Sequence, residues 1–145
     1  MADGFKFRHF VDAQAPVYET VLAELVAGHK RSHWMWFIFP QLAGLGHSDM
    51  ARRYALSGIA EAQAYLEHVE LGARLFECSA LVAAIPDRTI GEIFGSPDDM
   101  KFHSCMTLFA LAAPEQQIFN ECLQKYYAGV RDPATLALLS HKDIP

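Results

Sequence analysis

The chain has 145 residues, 52% of them hydrophobic, 12% aromatic and 20% charged, which excludes an intrinsically disordered protein and supplies enough apolar surface for one well-buried domain. Seventeen Asp and Glu against twelve Lys and Arg leave a net charge of -5, so a phosphate backbone is repelled at long range and nucleic acid is a poor partner. No stretch approaches the roughly 18 uninterrupted apolar residues of a membrane span, and Met1-Ala2-Asp3-Gly4-Phe5-Lys6 lacks the basic and then apolar order of a signal peptide. A cytoplasmic location without membrane attachment is the expectation.

Along the chain, Phe10, Val11, Val17, Tyr18, Val21, Leu22, Leu25 and Val26 recur near helical spacing and stop at Gly28, predicting one helix that starts between Asp12 and Pro16. Residues 30–46 show no helical period and are closed by Pro40, Gly44 and Gly46, so they read as a long irregular or partly helical connection. Only Trp36 to Phe39 resembles a strand, too short and solitary for a sheet. Ser48 is suited to N-cap a short helix through Tyr54, and Ser57 opens another through His68. Leu71, Leu75, Cys78, Leu81, Val82 and Ile85 form one apolar stripe ending at Pro86.

Thr89-Ile90-Gly91-Glu92 matches a capping box, closed by Gly95. Ser96-Pro97-Asp98-Asp99 reads as a helix start, with a capping hydroxyl, proline at the first position and two carboxylates at the positive end of the dipole, and its helix runs to about Ala112. Pro114-Glu115 precedes a further helix closed by Gly129, and Asp132-Pro133 starts a last one through Leu139. With no repeat or linker, residues 1–145 read as a single all-α domain, a compact bundle of six to eight helices, several of them short.

Chemistry-bearing residues concentrate between His29 and His47. The two tryptophans and the phenylalanines of this stretch either plug the core or wall a pocket, and a buried indole N–H requires a polar partner. His29 and His33 share a metal-ligand spacing, with His47, His68 and His103 as conceivable partners through the fold, but Gly28 precedes the first and no third ligand is near; no metal or cofactor is expected. Ser48 at a helix start offers either an ordinary cap or an anion contact. Farther on, Lys101 and Ser104 lie on one helical face, and His103 and Thr107 form another pair four apart. The odd, scattered cysteines Cys78, Cys105 and Cys122 read as buried free thiols.

The run Lys30-Arg31-Ser32-His33-Trp34-Met35-Trp36-Phe37-Ile38-Phe39-Pro40-Gln41, followed by Gly44-Leu45-Gly46-His47-Ser48, resembles the signature of a mostly bacterial family catalogued as domain of unknown function 1810. Blocks such as Ile93-Phe94-Gly95, Asp99-Met100-Lys101 and Met106-Thr107-Leu108-Phe109 resemble its later segments in the same order, so the likeness covers about residues 7–139. It implies a compact multihelical fold and carries no reaction. Some relatives bear the label calpastatin, a disordered inhibitor, which this packed and aromatic composition contradicts.

The expectation is therefore a pocket, formed by residues 30–48 and the helix beginning near 97, for a small polar metabolite, anionic or nucleotide-like. Trp34 and Trp36 would form its walls, His33 and Gln41 would supply hydrogen bonds, Lys101 with the helix N-terminus at Ser48 would contact the anion, and Ser104 would be a further ligand-binding residue. A catalytic version would use His33 or His47 as acid or base. The alternative is a noncatalytic docking module in which the aromatics of residues 33–41 face solvent for a protein partner. A monomer is favoured over an oligomer.

Overall fold

The computed structural model describes residues 5–142, all of whose regular elements are helical. Ten helices follow in order: α1 (Arg8–Gln14), α2 (Tyr18–Ala27), α3 (Met35–Ile38), α4 (Asp49–Arg53), α5 (Ile59–Glu67), α6 (Val69–Ala84), α7 (Ile90–Phe94), α8 (Asp98–Ala112), α9 (Gln117–Tyr127) and α10 (Pro133–Lys142). The Met1–Gly4 stretch used in the search for a leader lies outside the described residues. None of the described helices is long and apolar enough to cross a membrane.

Two additions raise the count above eight. The helix read as starting between Asp12 and Pro16 is two helices, because Pro16 has no N–H to donate to the carbonyl one turn back; the chain turns there through a Val17 N–H to Gln14 O bond of 3.1 Å. The strand-like Trp36 to Phe39 belongs to a single helical turn, held by Ile38 N to Trp34 O at 3.2 Å and Phe39 N to Met35 O at 3.1 Å. Aromatic and β-branched residues favour strands only where a partner strand exists, and the nearest pairing is an isolated bridge between Leu42 and Leu56.

Two helix starts also differ. Ser57 does not cap α5; Gly58 takes the N-cap position and the Ser57 N–H donates to Glu61 Oε1 at 2.7 Å. At α8 the N-cap position falls on Pro97 rather than Ser96, and no side chain caps it. The capping box at α7, by contrast, forms in both directions between Thr89 and Glu92, and Ser48 Oγ accepts from Ala51 N at 3.1 Å as the cap of α4.

The centre of the fold is α8. From Phe102 to Ala110 its residues are buried almost all round, apart from the half-buried His103, the pattern of a helix surrounded by others rather than of a surface helix with one apolar stripe. It packs against α9, α5, α7 and α10, while α6 packs against α9, α5 and α2. Phe39, Phe94 and Phe102 meet edge to face or tilted, at centroid distances of 5.0 to 5.9 Å, and lock the aromatic segment onto the first half of α8.

Candidate functional site

The loop after α2 leaves the helix through Gly28, whose φ of 75° is the left-handed C-cap conformation that glycine adopts without a Cβ clash. Its path is then set by Glu24. That buried carboxylate accepts from Arg31 N at 2.8 Å, Ser32 N at 3.1 Å, Trp34 Nε1 at 2.9 Å and Ser32 Oγ at 2.5 Å. Burial acts to raise its pKa, but the four donors outweigh burial and hold the carboxyl below the usual carboxylate range. The partner that a buried Trp34 indole requires is thus a carboxylate ten residues upstream.

The same loop is tied to α8 by a shared carboxylate. Lys30 Nζ stands 2.9 Å from Asp98 Oδ2, and Lys101 Nζ stands 3.7 Å from Asp98 Oδ1. Each ammonium also lies over a tryptophan, Lys30 at 5.1 Å from the Trp34 ring centroid and Lys101 at 5.3 Å from that of Trp36, an attractive arrangement for a cation. Lys30 is nearly enclosed, its side chain 8% exposed, and it further donates to Ser32 O at 2.5 Å. Lys101 is more open and meets Asp98 only at the long end of an ion pair, so its three donors are not all spent.

Beside Lys101 lies a cavity of about 230 Å³. Leu45, Pro97, Met100 and Ala134 form its apolar walls, and Gln41, Lys101, Ser104 and Asp132 its polar ones, with Gly46 at the loop edge. Gly46 is sterically required there: a Cβ would stand 2.6 Å from Ala51 Cβ and 3.1 Å from Gln41 Nε2, so only glycine lets the loop approach α4 and leaves Gln41 in place.

The hydrogen-bond capacity of the polar lining is unevenly used. Asp132 Oδ2 accepts from Ser104 Oγ at 2.9 Å, Thr135 N at 3.1 Å and Thr135 Oγ1 at 2.5 Å, and its own N–H donates to Thr107 Oγ1 at 2.9 Å. Asp132 is therefore the N-terminal cap of α10 as well as a wall of the cavity. All three bonds fall on Oδ2; Oδ1 has no donor among the described residues. Ser104 shares its single proton between Asp132 Oδ2 and Met100 O, which leaves its oxygen able to accept. The Gln41 backbone is fixed by Leu56 N donating to Gln41 O at 3.0 Å, while its side-chain amide is without a hydrogen-bond partner among the described residues.

Of the residues expected at a site, the structure brings Gln41, Lys101 and Ser104 to one cavity, with Trp36 adjoining through Lys101. Trp34 is a correction: it is 1% exposed, packs with Phe39 and Phe94, and gives its N–H to Glu24, so it is core and no pocket wall. Ser48 is another, since its hydroxyl accepts from Ala51 N and faces a helix of only five residues. His33 and His47 are exposed and outside the cavity lining. The docking alternative needs tryptophan rings presented to solvent; Trp34 is buried and Trp36 half-buried under Lys101.

Two other histidines have structural roles, while His29 is exposed. His68 Nδ1 caps α6 by accepting from Glu70 N at 3.2 Å and Leu71 N at 3.3 Å, and His103 stacks on Tyr127 with Nε2 2.7 Å from Val130 O. Among the described residues no three His, Cys, Asp or Glu side chains gather as a metal ion would need. The three thiols are free and buried.

Asp132, Asp98 and Glu24 carry no signal of a site in the sequence. Asp132 was visible only as a helix start before Pro133, and Asp98 only as a first-turn acid. Their partners lie 28, 68 and 3 residues away for Ser104–Asp132, Lys30–Asp98 and Asp98–Lys101, and only the last spacing is local.

Residues 4–139 match the sequence model of a family described as protein of unknown function (DUF1810), in agreement with the resemblance carried by the aromatic run. Among solved structures, the crystal structure of the conserved hypothetical protein Rv1873 from Mycobacterium tuberculosis at 1.38 Å is similar to this chain, with a TM-score of 0.93 and 56% identity over 95% of this chain and 99% of that one. No curated protein matches.

Proposed function

The chain belongs to the DUF1810 family, and we propose that it binds a small polar organic molecule in the cavity between the 41–46 loop, the first turns of α8 and the start of α10. The observation that carries this reading is the convergence on one cavity of three polar groups with capacity left over: the Gln41 amide, the Lys101 ammonium and Asp132 Oδ1. At the start of the aromatic segment, by contrast, the Trp34 indole N–H is consumed internally by Glu24 of α2. A cavity with apolar walls and a few oriented polar groups is the usual form of a small-molecule site.

Size narrows the reading. With a water's share of liquid volume at about 30 Å³, 230 Å³ is room for about eight water-sized groups, which favours a fragment-sized metabolite over a whole nucleotide. No histidine lines the cavity, so the role proposed is binding. A bacterial cytoplasmic setting suits it: the similar structure is mycobacterial, and three buried thiols are ordinary in a reducing compartment. The partner proposed is the ligand alone, without cofactor, metal or nucleic acid, and a monomer is favoured over an oligomer.

A thermal-shift screen of small polar metabolites tests this, because a ligand that binds only the folded state raises its apparent stability. Wild type responds to at least one compound; Ala134→Trp, which fills the cavity from an exposed backbone position, and Lys101→Met do not. Equal responses in all three would overturn the proposal.

A further inference from the structure

We infer that the molecule taken by this cavity is a zwitterion of amino-acid size, its carboxylate facing Lys101 and its ammonium facing Asp132 Oδ1; this rests on the cavity being the binding site proposed above. The local charges carry the argument. Lys101 and Asp132 line the same 230 Å³ space, one an ammonium with donors unspent, the other a carboxylate with a whole oxygen unspent. Behind Lys101, Asp98 is already held by Lys30 at 2.9 Å, so the four charges cancel as they stand.

A lone anion brought here would answer Lys101 but face the Asp132 carboxylate, and a lone amine would answer Asp132 but face Lys101; either adds an uncompensated charge to a partly enclosed site. A zwitterion adds none and pairs with both. Gln41 serves either end, since its amide both donates and accepts. The walls of Leu45, Pro97, Met100 and Ala134 suit a short aliphatic side chain. The space for about eight water-sized groups matches a molecule the size of leucine.

The two tryptophans of the chain supply a matched reporter and control for the test. The Trp36 ring lies under Lys101, while the Trp34 indole is buried on Glu24, so in a proton–nitrogen correlation spectrum of the full chain the Trp36 indole signal follows the cavity and Trp34 reports the integrity of the fold. Four probes are titrated: L-leucine, 4-methylpentanoate, which lacks the amino group, 3-methylbutylamine, which lacks the carboxylate, and inorganic phosphate.

Leucine is expected to move Trp36 and leave Trp34 in place, binding at least about tenfold more tightly than any other probe, since it gains a second charged hydrogen bond. Asp132→Asn keeps a side-chain oxygen to cap α10; it should weaken leucine by about tenfold and leave 4-methylpentanoate unchanged or tighter. Binding of a half-molecule or of phosphate as tight as leucine, abolished by Ala134→Trp, would overturn the zwitterion inference while the cavity reading stands. If no probe moves Trp36, this inference falls, while the cavity reading stands or falls separately on the thermal-shift screen.

Discussion

Replacing Glu24 with Gln removes the charge that organises the whole loop from Arg31 to Trp34. The carboxylate accepts four hydrogen bonds, three on Oε1 and one on Oε2. A glutamine can leave its carbonyl oxygen at the crowded position and turn its NH₂ toward Ser32 Oγ, which can rotate to accept, so the bond count survives but the charge assistance does not. Bonds to a charged group contribute about 1.5–3 kcal/mol each and neutral ones about 0.5–1.5. Because the bonds share one acceptor and are not additive, the expected loss is about 2–4 kcal/mol, or roughly 10 °C in Tm for a chain of this size.

The pH dependence distinguishes this account from a packing defect. Since the folded-state pKa of Glu24 lies below its ordinary value of about 4.3, the stability it contributes is complete above that value and is lost as pH falls through the folded pKa. The gap between wild type and Glu24→Gln should therefore be constant near neutrality and close on acidification below about pH 4. Urea unfolding followed by circular dichroism from pH 7 to pH 3 measures it. A gap under about 1 kcal/mol at pH 7, or one that widens on acidification, would refute the reasoning.

Three further outcomes follow from the same geometry. Asp132→Ala should lower stability by about 1–3 kcal/mol through loss of the α10 cap and the Ser104 bond, whereas Asp132→Asn should lose less than about half of that; denaturant melts of both variants check it. The three thiols should resist a disulfide reagent at pH 8 in the native state and all react once unfolded, because burial pushes Cys78 and Cys122 up to about 12 and Cys105 well above its usual range. In single-tryptophan variants, acrylamide should barely quench Trp34, which is 1% exposed, and should quench the half-buried Trp36 more strongly.

Much of the architecture was legible in the sequence because it is written locally. The capping box of Thr89 and Glu92, the Ser48 cap, and the stripe from Leu71 to Val82 all act within a few residues, and each forms where the pattern places it. The failures are also physical. The pattern from Phe10 to Val26 looks continuous although Pro16 divides it, since hydrophobic spacing does not register one missing N–H. Trp36 to Phe39 has the composition of a strand but no neighbour to pair with.

The site was half legible for a related reason. Gln41, Lys101 and Ser104 stood out as polar residues in unusual settings, and the fold does bring them together. Which tryptophan was core could not be read, because that depends on Glu24 reaching the Trp34 indole while Lys101 covers Trp36. Asp132 entered the cavity only through the packing of α10 on α8, a long-range contact with no local signature.

The most direct test of a ligand in this cavity is to dialyse the full chain to equilibrium against an extract of small polar metabolites and identify by mass spectrometry what it retains, with wild type and Ala134→Trp side by side and their melting curves compared. The account predicts that wild type retains at least one polar compound of about ten or fewer non-hydrogen atoms, in keeping with a cavity of about eight water-sized groups, and that the variant, folded to the same extent, does not. Identical retention by both proteins, or none by either, would contradict it.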